Sequence, residues 1–511
     1  MLAAGDYVTP KLNGVNYFEK PPLLYWAVAA CLAVFGHNEW AARIMPALSG
    51  LFGVLVTYAA MRRWLGRPAG IASATVLGTC LLMFALSRLL ILDMAVAMLM
   101  SATLFCFILG VRSAPGAQRR WLFYGLYASA ALATLTKGLI GFLVTGAVMF
   151  LWLLVFNQWK RLRPLHLPSG IALFLAIALP WHLLAAQRNP LWAEFYLVHE
   201  HWTRFTTTVH GRHEPWWYFI PIVVLGIFPW MGFLPGALKE TLAGGWAKRK
   251  ENADAWFLVT WVVFIFLFFS KSQSKLIPYI LPIFPPIAAL IGPWLARRWA
   301  EGGAAKLRLG FNVFSFVCGL LAVALVVAVT KPGLISEPGQ AESLKAYAYG
   351  MAAVLVLGGV AAPWFARMGG VRGGLATLVS TAVGLYVCLM LAAPNIQRAG
   401  TRDLALIVAA RVQPADKVYH YREYFHDFSF YAQRVVGTVD FKGELGLQID
   451  PVAQASGRFV DSAEFRRQWA QPGRIFTVAR KKDVKELFAD PTFLFHVLAE
   501  SRAHTLFSNQ P

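Results

Sequence analysis

Charge is what this chain has least of. Asp, Glu, Lys and Arg make up 14% of its 511 residues, against about 25% in a soluble globular domain. That sparsity excludes an ordinary water-soluble domain of this length. Acid is scarcer than base: 26 Asp and Glu stand against 47 Lys and Arg, a net charge of +21. A basic balance of this size would suit a nucleic-acid binder, yet no nucleic-acid motif is present. Much of the Lys and Arg instead falls in short loops between apolar runs, where membrane orientation puts it. Cysteine is rare as well. Cys31, Cys80, Cys106, Cys318 and Cys388 all lie inside apolar stretches without metal-ligand spacing, which points to packing. Internal repeats and low-complexity tracts are lacking too.

What the chain has in quantity is apolar sequence, 58% hydrophobic residues with a mean hydropathy of +0.53. Apolar runs near span length recur at residues 42–60, 68–90, 94–111, 121–135, 139–156, 170–186, 216–238, 256–270, 276–295, 310–330, 346–365 and 374–393. They predict an all-α polytopic membrane protein with about twelve transmembrane helices. An earlier run, Leu23 to Phe35, is too short to cross. Thirteen residues at about 1.5 Å each span roughly 20 Å of a ~30 Å hydrocarbon core, so it reads as an interfacial or re-entrant helix. Loops on one side hold nineteen Lys and Arg, among them Arg62, Arg63, Arg119, Arg161 and Arg298, and those on the other side, before the C-terminal region, hold twelve. The richer side is expected to be cytoplasmic. Residues 1–41 then form an outward loop with the interfacial helix, 42–393 the membrane domain, and 394–511 a small outward α/β domain. In the last, Lys417-Val418-Tyr419-His420-Tyr421 and Arg474-Ile475-Phe476-Thr477-Val478 read as strands, and 404–411 and 484–487 as helices.

The outward-facing polar residues are the candidates for chemistry, because charge at a membrane edge is costly. Asn16-Tyr17-Phe18-Glu19-Lys20-Pro21-Pro22 sets a carboxylate beside an ammonium before two prolines that can open a helix. The alternative is a polar membrane-edge loop without consequence. Asp93, between two apolar runs, is either functional or an N-cap for the helix that follows. Lys137, between two spans, reads as a lysine snorkelling to the interface. His199-Glu200-His201-Trp202-Thr203-Arg204, with His210 and His213 beyond, could suit a divalent metal such as zinc, without a recognised zinc spacing. Lys271, Lys275 and Tyr279 form a further outer edge. Lys20, Arg204, Lys271 and Lys275 together make a cationic site at headgroup level. Such groups suit a phosphate and ease its departure as a leaving group.

The runs Gly5–Gly14, Tyr17-Phe18-Glu19-Lys20-Pro21-Pro22-Leu23 and Asn38-Glu39-Trp40-Ala41-Ala42-Arg43 resemble the bacterial lipid A aminoarabinose transferases. These belong with the protein O-mannosyltransferases among polyprenyl-phosphate-dependent glycosyltransferases. Leu92-Asp93-Met94-Ala95, Thr136-Lys137-Gly138, Glu200–Phe205 and Lys275–Pro282 fit the same pattern. The resemblance is motif-specific to about residue 300 and architectural beyond. It implies an inner-membrane enzyme with thirteen spans and a periplasmic site. A sugar, 4-amino-4-deoxy-L-arabinose, would pass from undecaprenyl phosphate to a glycolipid such as lipid A, with inversion. It further implies that Lys20, Arg204, Lys275 and Tyr279 hold the donor phosphate, that Asp93 is catalytic by positioning the acceptor or ordering the site, and that Glu19 and His201 share a metal or a structural contact. Family members carry a first span and an outward acidic motif ahead of the position of Met1. Neither is present here, which reads as a start placed too late or, alternatively, a truncated product. Two other classes stay open: a transporter or flippase for a lipid-linked sugar, and a non-catalytic lipid-binding membrane protein.

Overall fold

The computed structural model describes residues 1–2, 4–190, 192–196, 214–302, 305–335, 339–368, 370–396, 400–441, 443 and 456–511. Their contacts divide the chain into two compact units. The first comprises Met1–Val8, Phe18–Ala322 and Ala352–Tyr386; the second comprises Thr9–Tyr17, Val323–Met351 and Val387–Pro511.

The first unit is helical. It opens with α1 (Leu23–Phe35), α2 (Glu39–Leu65), α3 (Arg67–Gly78), α4 (Leu81–Leu86), α5 (Asp93–Arg112), α6 (Ala117–Lys137), α7 (Ile140–Phe156) and α8 (Leu167–Arg188). Pro22 sits at the N-cap of α1, so the prolines do open a helix. Among the described residues eight helices are long and apolar enough to cross a membrane, or nine if a bent pair counts as one span. The twelve runs expected from sequence are all helical, but the rest fall outside that set for local reasons. The run over 68–90 breaks into α3 and α4 around Thr79-Cys80. α6 begins among Gln118, Arg119 and Arg120, and α7 is only 17 residues long. The run over 216–238 folds as Phe219–Gly226 and Met231–Thr241, bent by 96° around Pro229, whose ring cannot continue the backbone ladder.

Two segments lie inside the unit. In the apolar stretches of Asp93–Arg112 and Ile277–Glu301, 83% and 89% of the residues are buried. α5 is apolar all round, as an enclosed helix must be. It meets α6 through small residues that let the backbones approach. Thr103 and Ser129 hydroxyls bond across that seam at 2.9 Å, and a Cβ on Gly125 would lie 3.1 Å from Cys106 Sγ. Phe107, Trp152 and Phe257 pack edge to face beside it, with Trp152 Nε1 donating to the Ala253 carbonyl at 2.7 Å.

The second unit contains a six-stranded sheet in the order β5-β4-β3-β6-β8-β7. Here β3 is Lys417–Tyr421, β4 Gly437–Val439, β5 Phe459–Val460, β6 Ile475–Arg480, β7 His496–Glu500 and β8 His504–Ser508. Pairings among β3, β4, β5 and β6 are parallel, and β7 and β8 form an antiparallel edge. Parallel strands need helices on both faces, and the alternation along β3 serves both. Val418 packs with Phe476, Val478 and Leu506 beneath Leu404 and Phe428, while Tyr419 and Tyr421 pack with Phe465, Trp469 and Phe507 on the opposite face. This unit also takes in a hairpin from the start of the chain, β1 (Lys11–Leu12) and β2 (Val15–Asn16).

His420 is fully buried on β3, where its Nδ1 accepts the Phe425 N–H at 3.1 Å. Burial, with His426 nearby, pushes its pKa down to about 3. The unfolded chain therefore binds a proton that the folded domain refuses. Stability tied to His420 is complete above pH 6.5 and falls as pH drops from there toward about 3, by up to about 1.4 kcal/mol per pH unit. Chemical unfolding of the sheet domain between pH 7 and 4 should show this one-proton slope, and His420→Asn should flatten it. An unchanged slope in the variant would assign the acid sensitivity to other groups.

Candidate active site

Asp93 is the first residue of α5 and Lys137 the last of α6. Consecutive antiparallel helices bring such a start and end to the same level. Lys137 Nζ donates to Asp93 Oδ1 in a salt bridge whose two side chains are each only 13% exposed. The ammonium also stands 4.3 Å above the centre of the Tyr279 ring, a cation–π geometry. Tyr279 is presented by the 3₁₀ segment Ile277–Ile283. Gly138, at φ +92°, turns the chain sharply after Lys137 while its N–H returns to the Thr134 carbonyl at 2.8 Å. The cap alternative for Asp93 and the snorkelling reading of Lys137 need correction. The N-cap of α5 is Leu92, with no side-chain cap bond, so Asp93 is not a cap. Its carboxylate spends itself on Lys137, and Lys137 is a paired, largely buried cation instead of a snorkelling one.

The other site residues are placed as follows. Phe18 is buried with Leu135, Trp181, Ala185, Trp192 and Tyr196, and fixes the chain immediately before Glu19 and Lys20. Those two are half-buried, and Lys20 Nζ donates to the Glu19 carbonyl at 2.5 Å. Lys275 is 5% exposed and donates to the Glu214 carbonyl at 2.7 Å. Burial lowers its pKa below the usual lysine value, with the Glu214 carboxylate opposing that shift. Arg204 and His201 lie outside the described residues, as do His199, Glu200, His210 and His213. Among the described residues no three His, Cys, Asp or Glu side chains gather as a metal cage. The divalent-metal reading thus rests on Glu19 and an undescribed His201. Asp93 and Tyr279 are brought together, and the group that joins them is Lys137, whose role sequence reasoning missed. The signal was available: a carboxylate opening one span and a lysine closing the next must share a membrane face.

The opposite ends of these helices carry a different set of charges. Asp254 accepts from Arg112 and Arg161, and Arg119 donates to the Ser113, Arg161 and Pro164 carbonyls. α5 has 20 residues, so its two ends stand about 30 Å apart, one hydrocarbon thickness. The ionised groups of α5 are thus confined to its termini. Asp93, Lys137 and Tyr279 mark one end and the arginine cluster marks the other.

Residues 19–183 match the family described as dolichyl-phosphate-mannose-protein mannosyltransferase. The undecaprenyl phosphate-alpha-4-amino-4-deoxy-L-arabinose arabinosyl transferase 2 of Sodalis glossinidius is 32% identical over 340 residues, 66% of this chain and 60% of that protein. The chain thus spans about 60% of the length of the curated relatives it matches. Two crystal structures of ArnT from Cupriavidus metallidurans match over 100% of this chain and 91% of theirs. The one bound to undecaprenyl phosphate has a TM-score of 0.86 at 28% identity, and the apo form 0.82 at 30%. With the apolar helices, the ion-paired helix ends and the structural match over 91% of the solved chain in agreement, this multi-pass membrane chain belongs to the family of undecaprenyl phosphate–aminoarabinose arabinosyl transferases.

Proposed function

We propose that the chain is a glycosyltransferase moving 4-amino-4-deoxy-L-arabinose from undecaprenyl phosphate to lipid A or a like glycolipid. The observation that carries this reading is the likeness, over all of this chain and 91% of the other, to an ArnT structure bound to undecaprenyl phosphate. An acceptor oxygen attacks the anomeric carbon of the donor and forms the new glycosidic bond. The bond from that carbon to the phosphate oxygen breaks with inversion, and undecaprenyl phosphate leaves with the electron pair. Charge grows on the departing phosphate. Lys20 and Arg204 meet it, Arg204 with the bidentate fork that suits a phosphate. Lys275 spends one N–H on the Glu214 carbonyl, and an ammonium has two more to offer. The Tyr279 phenol supplies a further donor. Asp93 acts through Lys137, holding that ammonium over the Tyr279 ring and so ordering the site. A lipid A phosphate is already anionic at neutral pH, so the attack needs no strong base. Incubating the purified chain with labelled donor lipid and lipid A should yield modified lipid A. Absence of transfer in the presence of intact donor binding would overturn the reaction.

The site faces the periplasm from the inner membrane, with the sheet domain on the same side. Support comes from the nineteen cations of the opposite loops, which the positive-inside rule assigns to the cytoplasm. A cysteine at the exposed Lys482 should react with an impermeant maleimide applied to spheroplasts, and one at the exposed Arg120 should not. The reverse pattern would invert the orientation. A transporter would need polar groups at a broken helix near the midplane. The bent segment here is instead walled by Phe228, Trp230 and Phe233, all buried.

A further inference from the structure

The hairpin β1–β2 belongs, by its contacts, to the unit that holds the C-terminal sheet. Its two-residue loop, Asn13-Gly14, has φ of +51° and +75°, the pair of left-handed residues that a tight two-residue hairpin turn demands. Asn13 is 9% exposed and does more than turn the chain. Its Nδ2 donates to the Val436 carbonyl at 2.9 Å, and its Oδ1 accepts the Val436 N–H at 2.9 Å. One amide thus satisfies both backbone polar groups of the residue just before β4, as a neighbouring strand would. Arg458 reinforces it by donating to the Asn13 carbonyl at 2.8 Å. Val15 is fully buried and packs with Leu12 and Phe459.

The segment just beyond the hairpin is the one that carries the proposed phosphate grip. Tyr17 N–H closes onto the Pro10 carbonyl at 2.8 Å, and the next residue is the buried Phe18, followed by Glu19 and Lys20. On the entering side, the Val8 carbonyl accepts Trp181 Nε1 at 2.9 Å. The hairpin is therefore tethered at its tip to the sheet and continued at its foot into the site loop.

We propose that Asn13 is a positioning residue through which the C-terminal sheet domain fixes the loop bearing Glu19 and Lys20. This gives the sheet domain a task in the reaction, and its catalytic part rests on the function proposed above. The amide is suited to the task because it carries both a donor and an acceptor, and because Asn tolerates the left-handed backbone there. Gly would keep that backbone and delete both bonds. Asp would keep the shape and the acceptor, but would turn a carboxylate oxygen toward the Val436 carbonyl.

The test is hydrogen–deuterium exchange on the full chain in detergent, comparing wild type with Asn13→Gly, Asn13→Asp and Arg458→Gln. Loss of two buried hydrogen bonds should speed exchange across residues 14–20 by about 5- to 150-fold, with a smaller rise in Arg458→Gln. The strands of the sheet should keep their protection. If Asn13→Gly fails to fold, Arg458→Gln still loosens the tether from its other side. Faster exchange confined to the hairpin, with Phe18 to Lys20 unchanged in every variant that folds, would overturn the proposal. Transfer assays on the same proteins separate the two claims. A donor KM raised in the Asn13 variants, with the sheet domain's melting unchanged, supports positioning in catalysis. A wild type that binds no donor and transfers no sugar would sink the proposed function, while exchange would still decide the tether.

Discussion

Lys137→Met is expected to cost about 3–5 kcal/mol of stability and to abolish sugar transfer. The substitution leaves the Asp93 carboxylate enclosed, each member of the pair being only 13% exposed, without the cation that balances it. Removing one partner of a buried ion pair carries a penalty of that size, because the remaining charge keeps its desolvation cost. Lys137→Arg retains the charge and should recover much of the stability. The double variant Asp93→Leu/Lys137→Met is more informative. Replacing both charges by apolar groups is often neutral or stabilising, so the double variant should melt near the wild type. It should nonetheless remain inactive, since the ammonium over Tyr279 is gone. Melting in detergent and transfer rate, measured together, check both halves. A double variant that is both stable and active would reduce the pair to a packing element.

Lys20→Ala and Arg204→Ala are each expected to lower transfer by about 10- to 150-fold. The estimate takes one charge-assisted hydrogen bond to the leaving phosphate, about 1.5–3 kcal/mol, at about 1.4 kcal/mol per decade. Expression and melting should stay near wild type, because Lys20 is half-buried in a loop and bonds to a carbonyl. Lys20→Arg should rescue only in part, since a planar fork does not replace a compact ammonium. Lys331→Ala is the control. Lys331 is exposed at the end of the helix Arg308–Thr330 and outside every candidate motif, so its loss should be nearly silent. Comparable losses at Lys331 and Lys20 would point to general surface charge instead of a phosphate site.

Much of this arrangement was legible in the sequence because membrane helices declare themselves by length and polarity. Leu23–Phe35 was bounded correctly for that reason. Strand Lys417–Tyr421 was legible from its β-branched and aromatic content. Span number was less accessible. Hydropathy alone does not see the break near Thr79-Cys80 or the 96° bend near Pro229. The cap alternative for Asp93 fails because a cap is a local inference, while the partner of its carboxylate lies 44 residues away. The hairpin at Asn13-Gly14 went unseen although Asn-Gly is the strongest short hairpin signal. Its strands are only two residues each, too short for alternation to show. Nothing local in Asn13 indicates that its amide pairs with Val436, 423 positions later.

The most direct measurement is equilibrium binding of undecaprenyl phosphate to the purified chain, set against undecaprenol, which shares the chain but lacks the phosphate. A site built from Lys20, Arg204, Lys275 and Tyr279 predicts that the phosphate lipid binds at least about 10-fold more tightly, one charge-assisted bond's worth. Most of that margin should vanish in Lys20→Ala and Arg204→Ala and persist in Lys331→Ala. Equal binding of the two lipids, or a margin untouched by Lys20→Ala and Arg204→Ala, would contradict the assignment of this site to a polyprenyl phosphate donor.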